Sequence, residues 1–97
     1  MRIIAKKTLR EFWKRHQDAE QALRSWYDIA KKENWNSFNE IKQQFRNASI
    51  VGNDRIIFNI KGNSYRLVVK VDFNWKVMFI KFIGTHKEYD KTDVKNI

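Results

Sequence analysis

Apolar residues recur at helical spacing in the first half of the chain and alternate at strand spacing in the second half. The positions that define a first amphipathic helix are Leu9, Phe12, Trp13 and His16. Those that define a second helix, ending near Asn34, are Ala19, Ala22, Leu23, Trp26, Tyr27 and Ala30. Because residues spaced by three, four and seven share one helix face, both segments are predicted to bury that face.

Three shorter signals complete the first half of the chain. Residues 1–5 are predicted to form an edge strand. Thr8 and Glu11 have the spacing of a capping box, in which a hydroxyl and a carboxylate close the start of a helix. Ser37 and Glu40 have the same spacing and predict a short helical turn that ends near Phe45.

The second half of the chain predicts an antiparallel sheet. Alternation indicates strands at residues 55–60, 65–72 and 76–83. The link at residues 61–64 contains Gly62 and Asn63, which tolerate positive φ and therefore favour a tight hairpin. The predicted class is α+β, with two N-terminal helices packed on a small antiparallel sheet and a short N-terminal edge strand. The whole chain, residues 1–97, is expected to form a single domain.

A two-residue loop at Gly62 and Asn63 fixes which residues face each other across the hairpin. The expected pairs are Ile60 with Tyr65, Asn59 with Arg66, Phe58 with Leu67, Ile56 with Val69, and Arg55 with Lys70. Alternation then sends the apolar members of these pairs to the helices. The other side, called here the basic face, carries Arg55, Asn59, Arg66 and Lys70, with Ile57 and Val68 between them. On the last strand Met78, Ile80 and Phe82 are expected in the core, so Lys81 is expected to turn to the basic face.

Charge indicates what this face would bind. Lys and Arg outnumber Asp and Glu by 20 to 11, for a formal net charge of +9, which favours a polyanion as ligand. A solubilising surface charge is the alternative explanation. The chain has no cysteine, which excludes disulfides and thiolate metal sites. No stretch approaches the roughly 20 apolar residues of a membrane span, and the N-terminus has no signal-peptide pattern, so a cytoplasmic location is expected.

One histidine lies beside the predicted basic face. His86 follows Gly84, just past the strand that carries Lys81, and histidine is the side chain that most readily exchanges a proton near neutral pH. Like charges across a strand pair repel, so Arg55 opposite Lys70 is unfavourable unless an anion binds there. A solvated sheet face and a structural histidine are the alternatives. His16 continues an apolar stripe and is expected to pack.

This set of residues suits RNA cleavage. Arg66 is predicted to hold the phosphate through its planar guanidinium, and His86 to act as general acid or base. Lys70 is predicted to be catalytic as well, by stabilising charge or serving as a base, and Lys81 is a candidate for the same task. The other expected RNA contacts are Arg55, Asn59, Lys81 and Tyr89. Neither a metal nor another cofactor is expected, because the spacing of His86, Glu88 and Asp90 does not place them on one helix face.

Two segments resemble the HigB family of toxins, which belongs to the wider RelE-like group. They are RIIFNIKGNSYRLVV at residues 55–69 and FIGTHKEYD at residues 82–90, supported by LREFW at residues 9–13 and ALRSWY at residues 22–27. The resemblance implies a sheet with two N-terminal helices and metal-independent cleavage of mRNA in the ribosomal A site. It also implies neutralisation by a helix-turn-helix antitoxin. By position in these motifs, Arg66 and His86 correspond to catalytic residues, and Lys70, Asn59 and Tyr89 to less constant ones.

Two other functions fit the same sequence. A non-catalytic RNA- or ribosome-binding module would use the basic face for phosphate contacts without needing His86. A structural partner of an acidic protein would cleave no mRNA under any condition.

Overall fold

Most helices come first along the chain and most strands after them, as seen in a computed structural model that describes all residues from 1 to 97. The elements in chain order are β1 (Arg2–Ile4), α1 (Lys6–Arg15), α2 (Glu20–Lys32), α3 (Phe38–Gln44), β2 (Ser49–Val51), β3 (Arg55–Ile60), β4 (Tyr65–Asp72), β5 (Val77–Thr85) and α4 (His86–Asp90). A 3₁₀ turn, Gln17–Ala19, joins α1 to α2. The predicted α+β class is confirmed. None of the helices has the length and apolar character needed to cross a membrane.

All five strands form one sheet in the order β1-β5-β4-β3-β2. Strands β3 to β5 pair antiparallel, as predicted, and β2 pairs antiparallel with β3. Strand β1 lies parallel to β5 at one edge and makes the sheet mixed. Both β2 and α4 were absent from the sequence prediction.

The core forms where the apolar faces of α1 and α2 meet one side of the sheet. Six of its side chains come from these helices: Leu9, Phe12, Trp13, Leu23, Trp26 and Ala30. Six others come from the β3–β4 hairpin: Ile56, Phe58, Ile60, Tyr65, Leu67 and Val69. Each large apolar side chain buried in this way stabilises the fold by about 1.5–3 kcal/mol. Both predicted apolar faces are therefore confirmed.

The predicted register of the β3–β4 hairpin is confirmed at every pair from Arg55–Lys70 to Ile60–Tyr65. The turn closes with the amide of Ser64 donating to the carbonyl of Lys61 at 3.1 Å. Positive φ occurs at Lys61 (52°) and at Gly62 (62°). Gly62 and Asn63 are therefore the central residues of the turn, as predicted, but positive φ falls on Lys61 and Gly62 and not on Asn63.

The two predicted capping boxes have different outcomes. Helix α1 begins at Lys6, its N-cap residue Ala5 makes no side-chain bond, and the cap predicted at Thr8 and Glu11 is wrong. At α3 the hydroxyl of Ser37 does accept a hydrogen bond from the amide of Glu40, at 3.3 Å.

The junction between α1 and α2 is fixed to the β3–β4 hairpin by a polar contact. Tyr65 donates its hydroxyl to Asp18 at 2.6 Å, and the Lys61 ammonium pairs with the same carboxylate at 2.9 Å. These two partners hold the pKa of Asp18 below its usual range. His16 packs beside this contact, as its position on the apolar stripe predicts. Its ring centroid lies 4.4 Å from that of Phe12 and 5.4 Å from that of Tyr65.

A β-bulge changes which residues of β5 face the core. Val68 pairs with Phe82 and Val69 pairs with Ile80, so Lys81 is an extra residue without a partner in β4. Because a one-residue insertion reverses the alternation, Phe82 lies on the basic face, and its predicted place in the core is wrong.

Candidate functional site

Arg66 lies at one end of the basic face, on β4, with its guanidinium over the ring of Tyr89. The Cζ atom is 4.9 Å from the ring centroid, within the range of a cation–π contact. The side chain takes part in no hydrogen bond or ion pair, since the only ion pairs join Lys7 to Glu11, Arg24 to Glu20, and Lys61 to Asp18. Its Nε is buried and has no protein partner. None of the donors of Arg66 is therefore occupied by a protein partner.

The short helix α4 brings Tyr89 to Arg66, and a capping box fixes where that helix starts. The amide of Glu88 donates to the Thr85 hydroxyl at 3.3 Å, and the Glu88 carboxylate accepts from the Thr85 amide at 2.8 Å. This backbone hydrogen bond is the main reason that the pKa of Glu88 lies below its ordinary value. The spacing of Thr85 and Glu88 is the same signature as that of Ser37 and Glu40, so the sequence contained the signal for α4.

Gly84 leaves the space that this arrangement needs. It pairs with Arg66 across the sheet. A Cβ at this position would lie 2.6 Å from Phe82 Cζ and 2.9 Å from Glu88 Oε1, closer than side-chain carbons approach other atoms. A larger residue would push away Phe82 and the carboxylate that caps α4.

His86 is the first residue of α4, two residues after the cross-strand partner of Arg66. The imidazole is half-buried, and its Nε2 atom is buried without a protein partner. Buried polar atoms are nearly always hydrogen-bonded, so unpartnered ones deserve an explanation. The four in this protein are Trp26 Nε1, Arg55 Nε, Arg66 Nε and His86 Nε2. Two of them therefore belong to the residues predicted to carry the chemistry.

Lys70 lies on the same face as Arg66 but does not adjoin His86. The two basic residues are four positions apart on β4, which corresponds to roughly 13 Å along a strand. Lys70 pairs with Phe79 of β5, and the exposed Lys81 places its ammonium 6.0 Å from the centroid of the same ring. This geometry favours contact with RNA over catalysis for Lys70.

Arg55 is the predicted site residue whose side chain is buried and bound to backbone carbonyls. It is 7% exposed, and its guanidinium donates to the carbonyl of Asn53 at 2.6 Å and to that of Ile97. These contacts explain how it tolerates Lys70 as a cross-strand neighbour. They also fit a structural role better than the predicted RNA contact.

Asn59 pairs with Arg66 across the hairpin, as predicted. Its amide donates to the carbonyl of Asn47 at 3.3 Å, so it does not hold Arg66. Between these polar residues Ile57 and Val68 are 3% and 0% exposed. The basic face is therefore a partly covered surface, unlike the alternative of long cations splayed into water.

The arrangement can bind a phosphate and exchange a proton. Arg66 supplies unused donors, and His86 supplies an unused ring nitrogen on the element that contacts it. His86, Glu88 and Asp90 do not form a ligand set, because no three His, Asp or Glu side chains come together in a way that could hold a metal ion.

The capping carboxylate gives a testable dependence on pH. Because the pKa of Glu88 is lower in the folded state, its charged form stabilises the fold above about pH 4.5, its ordinary pKa. This stabilisation is lost as the pH falls through the lowered value. Glu88→Gln is expected to cost about 0.3–1 kcal/mol at pH 7 and nothing at low pH, measured by thermal unfolding.

Glu11→Gln is the matched control. It removes the same charge from an exposed position of α1 that forms an ion pair but no cap. A difference between wild type and Glu88→Gln that stays constant from pH 7 to pH 3 would contradict the assigned role of the carboxylate.

Comparison with known proteins identifies the kind of chain that carries this site. The sequence model of a family described as HigB toxin, the RelE-like toxic component of a toxin-antitoxin system, matches residues 19–92. The chain is also 29% identical over 93 residues to a protein named mRNA interferase HigB from Escherichia coli O6:H1. That alignment covers 94% of this chain and 90% of the relative.

Proposed function

Since the chain belongs to the HigB family of RelE-like toxins of toxin-antitoxin systems, we propose that it is an endoribonuclease that cleaves translated mRNA on the ribosome. The observation that carries this proposal is the pairing of Arg66, whose donors are all unused, with a histidine on the adjoining helix. The relative's name, mRNA interferase, indicates the same substrate class.

The proposed reaction needs only these groups. A 2′-hydroxyl attacks the neighbouring phosphate, and the bond to the 5′-oxygen breaks. Arg66 holds the phosphate oxygens and stabilises the charge that develops on them. His86 moves a proton, either from the attacking hydroxyl or to the leaving oxygen. Tyr89 acts on Arg66 by holding the guanidinium plane.

The small number of acid and base groups in the site supports the proposed dependence on the ribosome. One histidine is expected to transfer one of the two protons, so a second acid or base and the alignment of the hydroxyl must come from elsewhere. Holding reacting groups in line can supply about 7–11 kcal/mol of a barrier. We propose that the ribosomal A site provides this alignment, and that no metal ion takes part.

The protein is the toxin of a toxin-antitoxin system, which implies an antitoxin partner. We propose that this partner is a helix-turn-helix protein from the same operon. A surface with a net charge of +9 would bind most readily to an acidic segment of it.

Cleavage by the purified protein tests the proposed function. We expect mRNA cuts in codon register when ribosomes carry an open A site. Naked RNA of the same sequence should be cut far more slowly. Absence of cuts in both substrates would favour the non-catalytic binding module, and efficient cleavage of naked RNA would contradict ribosome dependence.

A further inference from the structure

Trp75 differs from every other tryptophan in the protein. Its side chain is 80% exposed, whereas Trp13, Trp26 and Trp35 are 5%, 2% and 2% exposed. It lies in the four-residue loop between β4 and β5, at the tip of that hairpin. Covering an exposed indole with another surface is favourable, because it removes apolar area from water.

The loop that carries Trp75 is held in place by specific contacts. The backbone amide of Trp75 donates a hydrogen bond to the carboxylate of Asp72 at 3.0 Å. The next residue, Lys76, donates its ammonium to the Trp35 carbonyl at 2.7 Å and to the Asn36 side chain at 2.5 Å. A ring presented on an ordered loop loses little conformational freedom when it binds a ligand.

A cleft adjoins the loop on the side of the basic face. Its volume is about 620 Å³, and its lining includes Lys70, Phe79 and Asn74, the residue before Trp75. Lys81 reaches over the Phe79 ring from the bulge in β5. Aromatic rings and unpaired cations therefore alternate along β4 and β5 from Arg66 toward the hairpin tip.

We propose that Trp75 and this cleft bind single-stranded RNA on one side of the cleaved phosphate, with the indole stacking on a base. Proteins that bind single strands combine a cationic groove with aromatic rings on which bases stack. The inference rests on the proposed function, because it extends the RNA-binding surface from Arg66 along β4 to Trp75. It assigns Trp75, Phe79 and Lys81 to substrate binding.

The surroundings of Trp75 favour RNA over a protein partner. The other large apolar side chains with substantial exposure, Ile4, Ile29 and Ile50, lie on β1, α2 and β2. Trp75 is therefore the only large apolar side chain with substantial exposure on its loop, unlike the clustered aromatic residues at the core of a protein interface. Isolated rings beside cations suit the stacking of single bases.

The charges in the cleft predict how salt should act. Asp54 and Asp72 line it together with Lys70, so the lining carries one more negative than positive charge, which Lys81 over the Phe79 ring offsets. Binding at Trp75 should therefore depend on stacking and respond little to salt. Lys81, which forms no ion pair, should contribute through the phosphate and give the usual salt dependence of single-strand binding.

Intrinsic tryptophan fluorescence gives a direct test, because Trp75 is exposed and the other three tryptophans are buried. The probe is a mixed-sequence 2′-O-methyl RNA oligonucleotide, which lacks the attacking hydroxyl and cannot be cleaved. We expect it to quench the long-wavelength emission of the wild-type protein. Trp75→Phe keeps a ring for stacking but should show almost no quenching.

Affinity for the same oligonucleotide, with a fluorescent label for anisotropy, measures the contribution of the ring. Trp75→Ala is expected to weaken binding by about 5- to 150-fold without changing the slope of log Kd against log salt. Lys81→Ala is expected to reduce that slope by about 0.7. Ile50→Ala, which removes another exposed apolar side chain, is the matched control and should bind like wild type.

Several results would overturn the inference. They are no detectable binding of the oligonucleotide, binding without quenching, wild-type affinity of Trp75→Ala, and quenching by the antitoxin alone. Failure of the proposed function is distinguishable: the oligonucleotide would still quench Trp75, but ribosome-bound mRNA would remain uncut. Normal cleavage by Trp75→Ala with unchanged affinity would reject the inference and leave the proposed function intact.

Discussion

Replacing His86 with alanine is expected to slow the cleavage of ribosome-bound mRNA by about 10²- to 10⁴-fold, the usual contribution of a general acid or base. His86 carries the only imidazole on α4, and its Nε2 atom makes no hydrogen bond that would compete with one to the substrate. Single-turnover cleavage of mRNA on programmed ribosomes measures the chemical step. The fold should persist, because the capping bonds of α4 come from Thr85 and Glu88.

Two further measurements separate chemistry from structure. The rate lost in His86→Ala should return partly when free imidazole is added. His16→Ala is the matched control: that ring packs on Phe12 and Tyr65, so the variant should lose thermal stability and keep its rate. A His86→Ala rate within tenfold of wild type would reject a catalytic role.

The sequence could predict the part of the site that depends on the alternation of side chains along β3 and β4 and on the tight turn between these strands. With six pairs in register, β3 and β4 put Asn59, Arg66 and Lys70 on one side of the sheet without any information from other elements. Local geometry decides this result, because a two-residue period and a four-residue link leave only one pairing that buries the apolar set.

The features that the sequence could not predict depend on residues far apart in the chain. Nothing near Lys81 marks the bulge in β5, which shows only in the pairing of β5 with β4. The burial of Arg55 depends on the carbonyl of Ile97, 42 residues later. Charge alone therefore predicted four available cations, whereas tertiary contacts remove Arg55 and leave Arg66, Lys70 and Lys81.

Helix α4 could be predicted from the sequence only in part. Its capping box is a local signal, present at Thr85 and Glu88, but its direction over the basic face is not local. That direction depends on Gly84, which leaves room for Phe82 and for the Glu88 carboxylate. Sequence position placed His86 near the basic face, and the packing around Gly84 sets the position of the helix that His86 begins.

Replacing Arg66 with alanine is expected to slow the same reaction by about 10²- to 10³-fold, the usual cost of removing a preorganised charge from a transition state. Arg66→Lys should recover only part of the rate, because an ammonium keeps the charge but lacks the planar fork and stacks poorly on Tyr89. Tyr89→Phe should cleave nearly as fast as wild type, whereas Tyr89→Leu should lose about 2- to 30-fold, the range of a cation–π contact.

Arg24→Ala is the matched control for this series. Arg24 also lies over an aromatic ring, 4.7 Å from the centroid of Trp13, but it sits on α2, on the other side of the sheet, and pairs with Glu20. If the rate depends on Arg66 binding the phosphate, Arg24→Ala should cleave like wild type although it loses the same charge and the same kind of contact. Equal losses in both variants would mean that total charge sets the rate, and Arg66 would then have no specific role.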